Sequence, residues 1–145
     1  MTDFLKLENQ VCFPVYALSR QITAIYRPFL DKLGLTYPQY LVMMVLWQYK
    51  TITVKELGDM LLLDSGTLTP LLKRMENNGL LTRSRSTKDE RMVDITISEK
   101  GEALKTPAKS IPPKIKEYLE TDDEQLALLR DQLNRLLQTA SKCKQ

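Results

Sequence analysis

The stretch Asp64–Glu76, DSGTLTPLLKRME, constrains the chain more than any other. Leu68, Leu71, Leu72 and Met75 recur at the three-and-four spacing of one buried helical face, and Asp64 with Ser65 supplies an N-cap in front of them. The opposite face is small, polar and basic. Ser65, Thr67, Thr69, Lys73 and Arg74 are residue types that reach base edges and phosphate oxygens, and the first two turns are slim enough for a DNA major groove. Pro70 lacks a backbone donor, so the regular helix is expected to begin at about Thr67, with its N-terminus at Ser65 to Thr67. Taken alone, the same pattern also describes an amphipathic core helix with a solvated side. The neighbouring segments decide between the two.

Just upstream, Val54–Leu61 (VKELGDML) reads as a short helix with Leu57, Met60 and Leu61 inward, and a turn of three to four residues joins it to the next helix. Two helices so joined, the second capped and basic, form a helix-turn-helix pattern. Beyond the Gly79 stop, Leu80–Arg85 and Met92–Ser98 read as two strands of a hairpin, with Val93, Ile95 and Ile97 alternating against polar residues. Its tip, Ser86–Arg91, carries Lys88, Asp89 and Arg91, and an arginine at a projecting tip can enter a narrow minor groove. Thr51–Thr53 is too short for more than one strand residue pair. The expected fold is mainly α with a small β-hairpin wing, a winged helix-turn-helix over residues 34–98.

Helices flank this core. Val11–Leu33 shows Val15, Leu18, Ile22, Ile25, Phe29 and Leu33 on one side, with Pro14 in a first turn and Pro28 predicting a kink or an interruption. Thr36 is a candidate cap and Pro38 a first position for Pro38–Tyr49, nearly all apolar and so central core, with Trp47 in or at the edge of it. Glu99 begins another helix, interrupted around Pro107 and again at Pro112 and Pro113. The last helix is expected to start from a capping box, Thr121 with Glu124, and its Leu126, Leu129, Leu133, Leu136 and Ala140 recur at near-heptad spacing. Such a stripe needs a partner, either its own domain or, as the helices at both ends favour, a symmetric homodimer. The chain is expected to be a single domain, 1–145, with 5–33 and 99–140 as dimerisation helices.

Composition removes several classes of function. A net charge of +3 is only mildly basic, so a nucleic-acid surface must come from the local clusters Lys73–Arg74 and Arg83–Arg91. The chain has no histidine, which takes away the usual general base and the commonest metal ligand, so neither an enzyme nor a metal or cofactor site is expected. Cys12 and Cys143 lie too far apart for a CxxC pair and match no disulfide framework, which fits a reducing compartment. The longest apolar run, Tyr40–Trp47, is far short of a membrane span, and MTDFLKLENQ is acidic and polar. A cytoplasmic location is expected.

The order of helix-turn-helix, wing and flanking helices resembles the MarR family of bacterial transcription regulators. Within that family, CFPVYALSR, YRPFLDKLGLTYPQYLVMMVLW, LDSGTLTPLLKRME and KDERMV resemble the branch of organic hydroperoxide sensing repressors, the OhrR-like proteins. The likeness is close over roughly the first hundred residues and extends to the last forty only in helix pattern. It implies that Cys12 is the peroxide-reactive thiol, that Tyr26 and Tyr37 are the phenols that hold it, and that Tyr16 lines the same pocket. It implies double-stranded DNA with a pseudo-palindromic operator as partner, and an organic hydroperoxide as inducer. At the wing, Asp89 would hold the Arg91 guanidinium ready for the minor groove. In relatives that lock oxidation as an intersubunit disulfide, the second cysteine is expected well before the tail. Here Cys143 lies in SKCKQ, either as a free exposed thiol or as a tail thiol delivered to the partner's Cys12. Without that disulfide, a sulfenic acid at Cys12 would be capped by a small thiol or overoxidised.

Helix geometry tests this implication. If Cys12 and Tyr26 share one helix, about 21 Å separates them at 1.5 Å per residue, so a contact requires a partner chain. An antiparallel pair of N-terminal helices across a two-fold would supply it. Cys12 and Tyr16, one turn apart, share a face. With no histidine, activation of the thiol falls to phenol hydrogen bonds, the helix start and an arginine such as Arg20 or Arg27. The residues leave other functions open. One is a MarR-type repressor induced by a small aromatic ligand, with Cys12 incidental. A thiol peroxidase is disfavoured by the lack of a resolving pair, and a winged module that never touches DNA by the slim polar helix and Arg91.

Overall fold

The computed structural model describes residues 3–143. The chain divides after Ile111 into two compact units, whereas the sequence pattern treats 1–145 as one domain. The first unit contains α1 (Cys12–Asp31), α2 (Tyr37–Tyr49), β1 (Thr51–Thr53), α3 (Val54–Leu61), α4 (Ser65–Asn77), β2 (Leu81–Arg85), β3 (Val93–Ile97), α5 (Glu99–Ala103) and α6 (Lys105–Ala108). The second begins in the first turn of α7 (Ile111–Tyr118) and includes α8 (Asp123–Lys142).

The core of the first unit is built around α2. Thr36 and Gln39 form a capping box at its start, Pro38 occupies the first turn, and Tyr40, Val42, Met43, Leu46 and Trp47 are buried along it. Leu30 of α1, Leu57 of α3, and Leu68, Leu72 and Met75 of α4 complete the core with Leu80, Leu81 and Ile95. Trp47 is inside, its indole N–H donating to the Gly101 carbonyl at 3.0 Å. The wing is larger than a hairpin. Thr51–Thr53 pairs antiparallel with β3 over three residues, giving a three-stranded sheet in the order β1-β3-β2. Ile52 pairs with buried Ile95, and the Thr51 and Thr96 hydroxyls meet at 3.1 Å. These cross-strand contacts explain how so short a segment joins a sheet.

Other local expectations change for identifiable reasons. α1 runs uninterrupted through Pro28 to Asp31. α4 begins at Ser65, at the early end of the expected Ser65 to Thr67 range, because Asp64 accepts the Thr67 N–H at 2.8 Å and fixes the first turn. The Gly66 carbonyl, which Pro70 leaves without a helical donor, lies on an exposed turn open to water. Met60 faces outward, since α3 buries Leu57 and Gly58 instead. A Cβ on Gly58 would stand 2.9 Å from the Leu63 carbonyl, so the turn into α4 closes over this position. The helix from Glu99 breaks at Leu104, with Pro107 inside α6. Pro112 and Pro113 lie in the first turn of α7, where missing donors cost nothing. α8 is capped by Asp122, which accepts the Gln125 N–H at 2.8 Å, while Thr121 donates its hydroxyl to the Gln125 side chain.

The flanking helices are poorly covered. Leu30 is the buried residue of the twenty in α1, and no residue of α8 is buried. Phe13, Val15, Tyr16 and Leu18 on α1 are exposed, as are Leu128, Leu129, Leu136 and Leu137 on α8.

Gly101 is the tightest point of the core, where a Cβ would stand 2.3 Å from the Leu80 carbonyl. Gly101→Ala is expected to cost about 1–3 kcal/mol through forced backbone displacement. Chemical denaturation of both proteins checks this, and unchanged stability would show that the α5 backbone yields freely.

Candidate nucleic-acid interface and redox site

The polar face of α4 and the wing converge on one concavity. A cavity of about 560 Å³ lies between α3, the start of α4 and the sheet, and its lining includes Lys55, Ser65, Thr69, Arg83 and Arg91. Ser65, Thr69 and Lys73 fall four residues apart on α4 and so share a face, and Thr67 and Arg74 are likewise exposed. Lys73, Arg74, Lys88 and Arg91 form no ion pairs among the described residues. Their charge is available to an incoming polyanion.

The wing is fixed to α4 by a contact the sequence reading missed. Arg83 donates its backbone N–H to Glu76 at 2.7 Å and its guanidinium Nε and Nη2 to the other carboxylate oxygen at 3.2 and 3.1 Å. The Arg83 backbone N–H, then its side chain, holds the Glu76 carboxyl below the usual carboxylate range. Arg83 is therefore engaged with the wing's own helix, although its cluster pointed to DNA. The signal was present as a Glu in the last turn of α4 seven residues before an Arg in the next strand. At the tip, the Ser86 N–H donates to the Met92 carbonyl at 2.8 Å and Ser86 Oγ accepts from Lys88 N–H at 3.2 Å. Asp89 accepts the backbone N–H of Arg91 at 3.0 Å, where a grip on the guanidinium was expected. The carboxylate thus shapes the turn that presents Arg91. Lys88 lies near Glu56, whose carboxyl is lowered first by Thr53 hydrogen bonds and also by this lysine.

A second site lies at the junction of α1 and α2. Tyr26 and Tyr37 stack edge-on with centroids 5.0 Å apart, and Tyr40, which the sequence reading placed only in the core, joins them at 5.8 Å from Tyr26. Burial, then the neighbouring phenols of Tyr37 and Tyr40, pushes Tyr26 up to about 12, and burial also raises Tyr37. All three stay protonated donors at neutral pH. Cys12 lies at the first position of α1, exposed, fourteen residues from Tyr26 on one continuous helix and hence about 21 Å away along the axis. Tyr16 is on the Cys12 side of that helix, exposed, with the Arg20 guanidinium 4.7 Å above its ring. A single chain thus brings Tyr26 and Tyr37 together and leaves Cys12 and Tyr16 apart from them. Cys143 caps the end of α8, exposed, with its thiol toward the Thr139 carbonyl at 3.6 Å.

The chain matches the family described as transcriptional regulator SarA/Rot over residues 24–107. It is 53% identical over 137 residues to the organic hydroperoxide resistance transcriptional regulator of Bacillus subtilis, spanning 94% of this chain and 93% of the relative. It belongs to the MarR family of transcriptional regulators, in the branch of the organic hydroperoxide resistance regulators. Among solved structures of AbfR, a regulator known from Staphylococcus epidermidis, the reduced form bound to DNA is similar to this chain. It is 36% identical with a TM-score of 0.73, covering 90% of this chain and 96% of that one. The disulfide form of AbfR is 33% identical with a TM-score of 0.63, covering 90% and 92%. For a MarR-family fold, the arrangement gives two separate candidate surfaces, the α4–wing concavity and the phenol cluster. α2 passes from one toward the other.

The raised Tyr26 pKa has a measurable sign. The folded protein keeps this phenol proton more tightly than the unfolded chain, whose ordinary value is 10.0, so the associated stability is full below pH 10 and is lost as pH rises toward about 12. Ultraviolet titration of the parent and of Tyr26→Phe is expected to show the missing phenolate step near pH 12. A missing step near pH 10 would refute the burial of this ring.

Proposed function

We propose that the chain is a homodimeric repressor that occupies a pseudo-palindromic operator and releases it when an organic hydroperoxide oxidises Cys12. One observation carries this reading: phenols clustered at one end of α1 and a thiol at the other, on a helix with a single buried residue. The other apolar side chains of α1 are at best half-buried, and Phe13, Val15, Tyr16 and Leu18 in its first half are exposed, so little cover from within one chain stabilises that half. A second copy covering α1 and α8 supplies the missing burial, and with the α1 helices antiparallel it brings Cys12 of one protomer to Tyr26 and Tyr37 of the other. Tyr16, one turn from Cys12, then lines the same pocket.

In the reaction, the Cys12 thiolate attacks the distal oxygen of the hydroperoxide. An S–O bond forms, the O–O bond breaks, the sulfur loses two electrons, and the departing alkoxide takes a proton to leave as an alcohol. The exposed Phe13 and Val15 favour an organic peroxide over hydrogen peroxide. The product sulfenic acid passes to a disulfide with Cys143 of the other protomer, to a mixed disulfide with a small thiol, or to overoxidation. On DNA, Ser65, Thr67, Thr69, Lys73 and Arg74 enter the major groove, while Lys88 and Arg91 reach the adjoining minor groove and backbone. Half-sites would lie about one helical turn apart.

The α4–wing cavity, within the usual size range of ligand pockets, also supports a second reading in which a small aromatic ligand is the inducer and Cys12 is incidental. A fluorescent promoter fragment from the chain's own gene neighbourhood separates the two. With about one equivalent of an organic hydroperoxide, wild type is expected to release the fragment and Cys12→Ser to stay bound. Release by both proteins would reject Cys12 as the sensor. Arg91→Ala is expected to weaken binding of the reduced protein by about tenfold or more, with far-ultraviolet circular dichroism unchanged. Retained affinity would refute the minor-groove role.

A further inference from the structure

α5 grips α4 and α2 at once. Toward α4, Lys100 Nζ donates to the Asn78 carbonyl at 2.7 Å, and Ser98 Oγ, at the N-cap of α5, donates to the Gly79 carbonyl at 2.6 Å. The Ser98 N–H donates to the Leu80 carbonyl at 3.1 Å, the same oxygen that excludes any side chain at Gly101. Three successive carbonyls just beyond the reading helix are therefore held from this side. Toward α2, Trp47 Nε1 donates to the Gly101 carbonyl at 3.0 Å, and Lys50 pairs with Glu102 at 2.6 Å. Lys105 Nζ donates to the Trp47 carbonyl at 3.2 Å. Gly101 is the shared point, with its carbonyl on the indole of α2 and its α-carbon against the turn that ends α4.

The same α2 carries Tyr37 and Tyr40. Trp47 lies ten residues beyond Tyr37, about 15 Å along the helix, and the Tyr40 ring touches both Tyr26 and Trp47, at 5.8 and 6.1 Å. We infer that Trp47 is a positioning residue for the DNA-reading helix: through Gly101 it couples the phenol-bearing α2 to the C-terminal end of α4. Apolar packing between α2 and α4 also exists, but it is non-directional and singles out no one atom of α4. A hydrogen bond to one carbonyl fixes a direction, so a shift of α2 at the phenols becomes a shift of α4. The inference rests on the proposed redox reading for what moves α2, but the joint itself is testable without oxidant.

Trp47 is the single tryptophan of the chain, so its emission reads the joint directly. Linkage is reciprocal, so operator binding to the reduced full-length protein is expected to change Trp47 emission. Hydroperoxide is expected to change it in wild type and not in Cys12→Ser. Trp47→Phe keeps an aromatic ring and removes the donor, and Lys100→Met cuts the other grip at an exposed position. Each is expected to bind the operator within about twofold of wild type when reduced, yet to lose at least about fivefold of the oxidant-driven drop in affinity. A merely structural role would lower reduced affinity and leave that drop intact. Full release by both variants would overturn the inference. If wild type itself does not respond to hydroperoxide, the redox reading fails. The joint then stands or falls on the operator titration, where unchanged Trp47 emission at saturation overturns it.

Discussion

The continuity of α1 governs the proposed redox site. A helix that runs unbroken from Cys12 to Asp31 cannot fold its first residue back onto its fifteenth, and a rise of 1.5 Å per residue leaves no freedom in the separation. Had a residue between Cys12 and Tyr26 broken α1, a single chain could have assembled thiol and phenols by itself. The intact helix makes that assembly a property of two chains. It also leaves the apolar side of α1 uncovered, so the feature that separates the reactive groups and the feature that calls for a second copy are the same. In the proposed sensor, thiol, phenols and second copy are coupled by geometry before any chemistry is considered.

The DNA-facing half obeys a different constraint, rigidity. A reading helix and a wing can meet two grooves together only if their relative position is set in advance. Here the Glu76–Arg83 pair ties the last turn of α4 to the first wing strand. β1, pairing along the opposite edge of β3, anchors the sheet to the start of α3. The polar residues that would touch DNA make few contacts of their own. The residues behind them are heavily bonded. This division lets the surface carry unpaired positive charge without that charge disturbing the packing.

Much of this was legible in the chain itself, because it depends on periodicity and on turn chemistry. The leucines of α4, the Asp-Ser start, the alternation of Val93, Ile95 and Ile97, and the stop at Gly79 each act locally, and a local signal survives translation into structure. The errors fall where a distant residue outweighs a local one. Thr51–Thr53 is too short to declare itself a strand, and becomes one through pairing with Asp94–Thr96 more than forty residues away. Met60 satisfies a helical pattern that Gly58 overrides by drawing the α3–α4 turn against the helix. Tyr40 reads as core from its neighbours, and only the approach of α1 makes it part of a phenol cluster. Arg83 looks like one more cation in a basic run until Glu76 is brought opposite it. Even the prolines follow this rule: Pro112 and Pro113 read as breakers in sequence and act as a helix opening in space.

The state of the phenols supplies the energy scale for the proposed switch. Tyrosine is protonated at neutral pH, and burial raises Tyr26, Tyr37 and Tyr40 further, so they offer hydrogen bonds and cannot themselves carry the negative charge. A buried donor of this kind favours an anionic partner, and hydrogen bonds to a charged group are worth about 1.5–3 kcal/mol against about 0.5–1.5 kcal/mol for a neutral one. Converting a thiolate to a neutral oxidised sulfur therefore removes about 1–2 kcal/mol from each phenol contact. With two phenols on each thiol and two thiols in the proposed dimer, the total is about 4–8 kcal/mol. Allosteric couplings typically amount to about 1–3 kcal/mol, so this loss is large enough to drive a conformational shift while most of it is dissipated on the way. No metal, histidine or cofactor is needed to reach that figure. Two electrons removed from each sulfur suffice, provided that the phenols stay neutral and α1 stays whole.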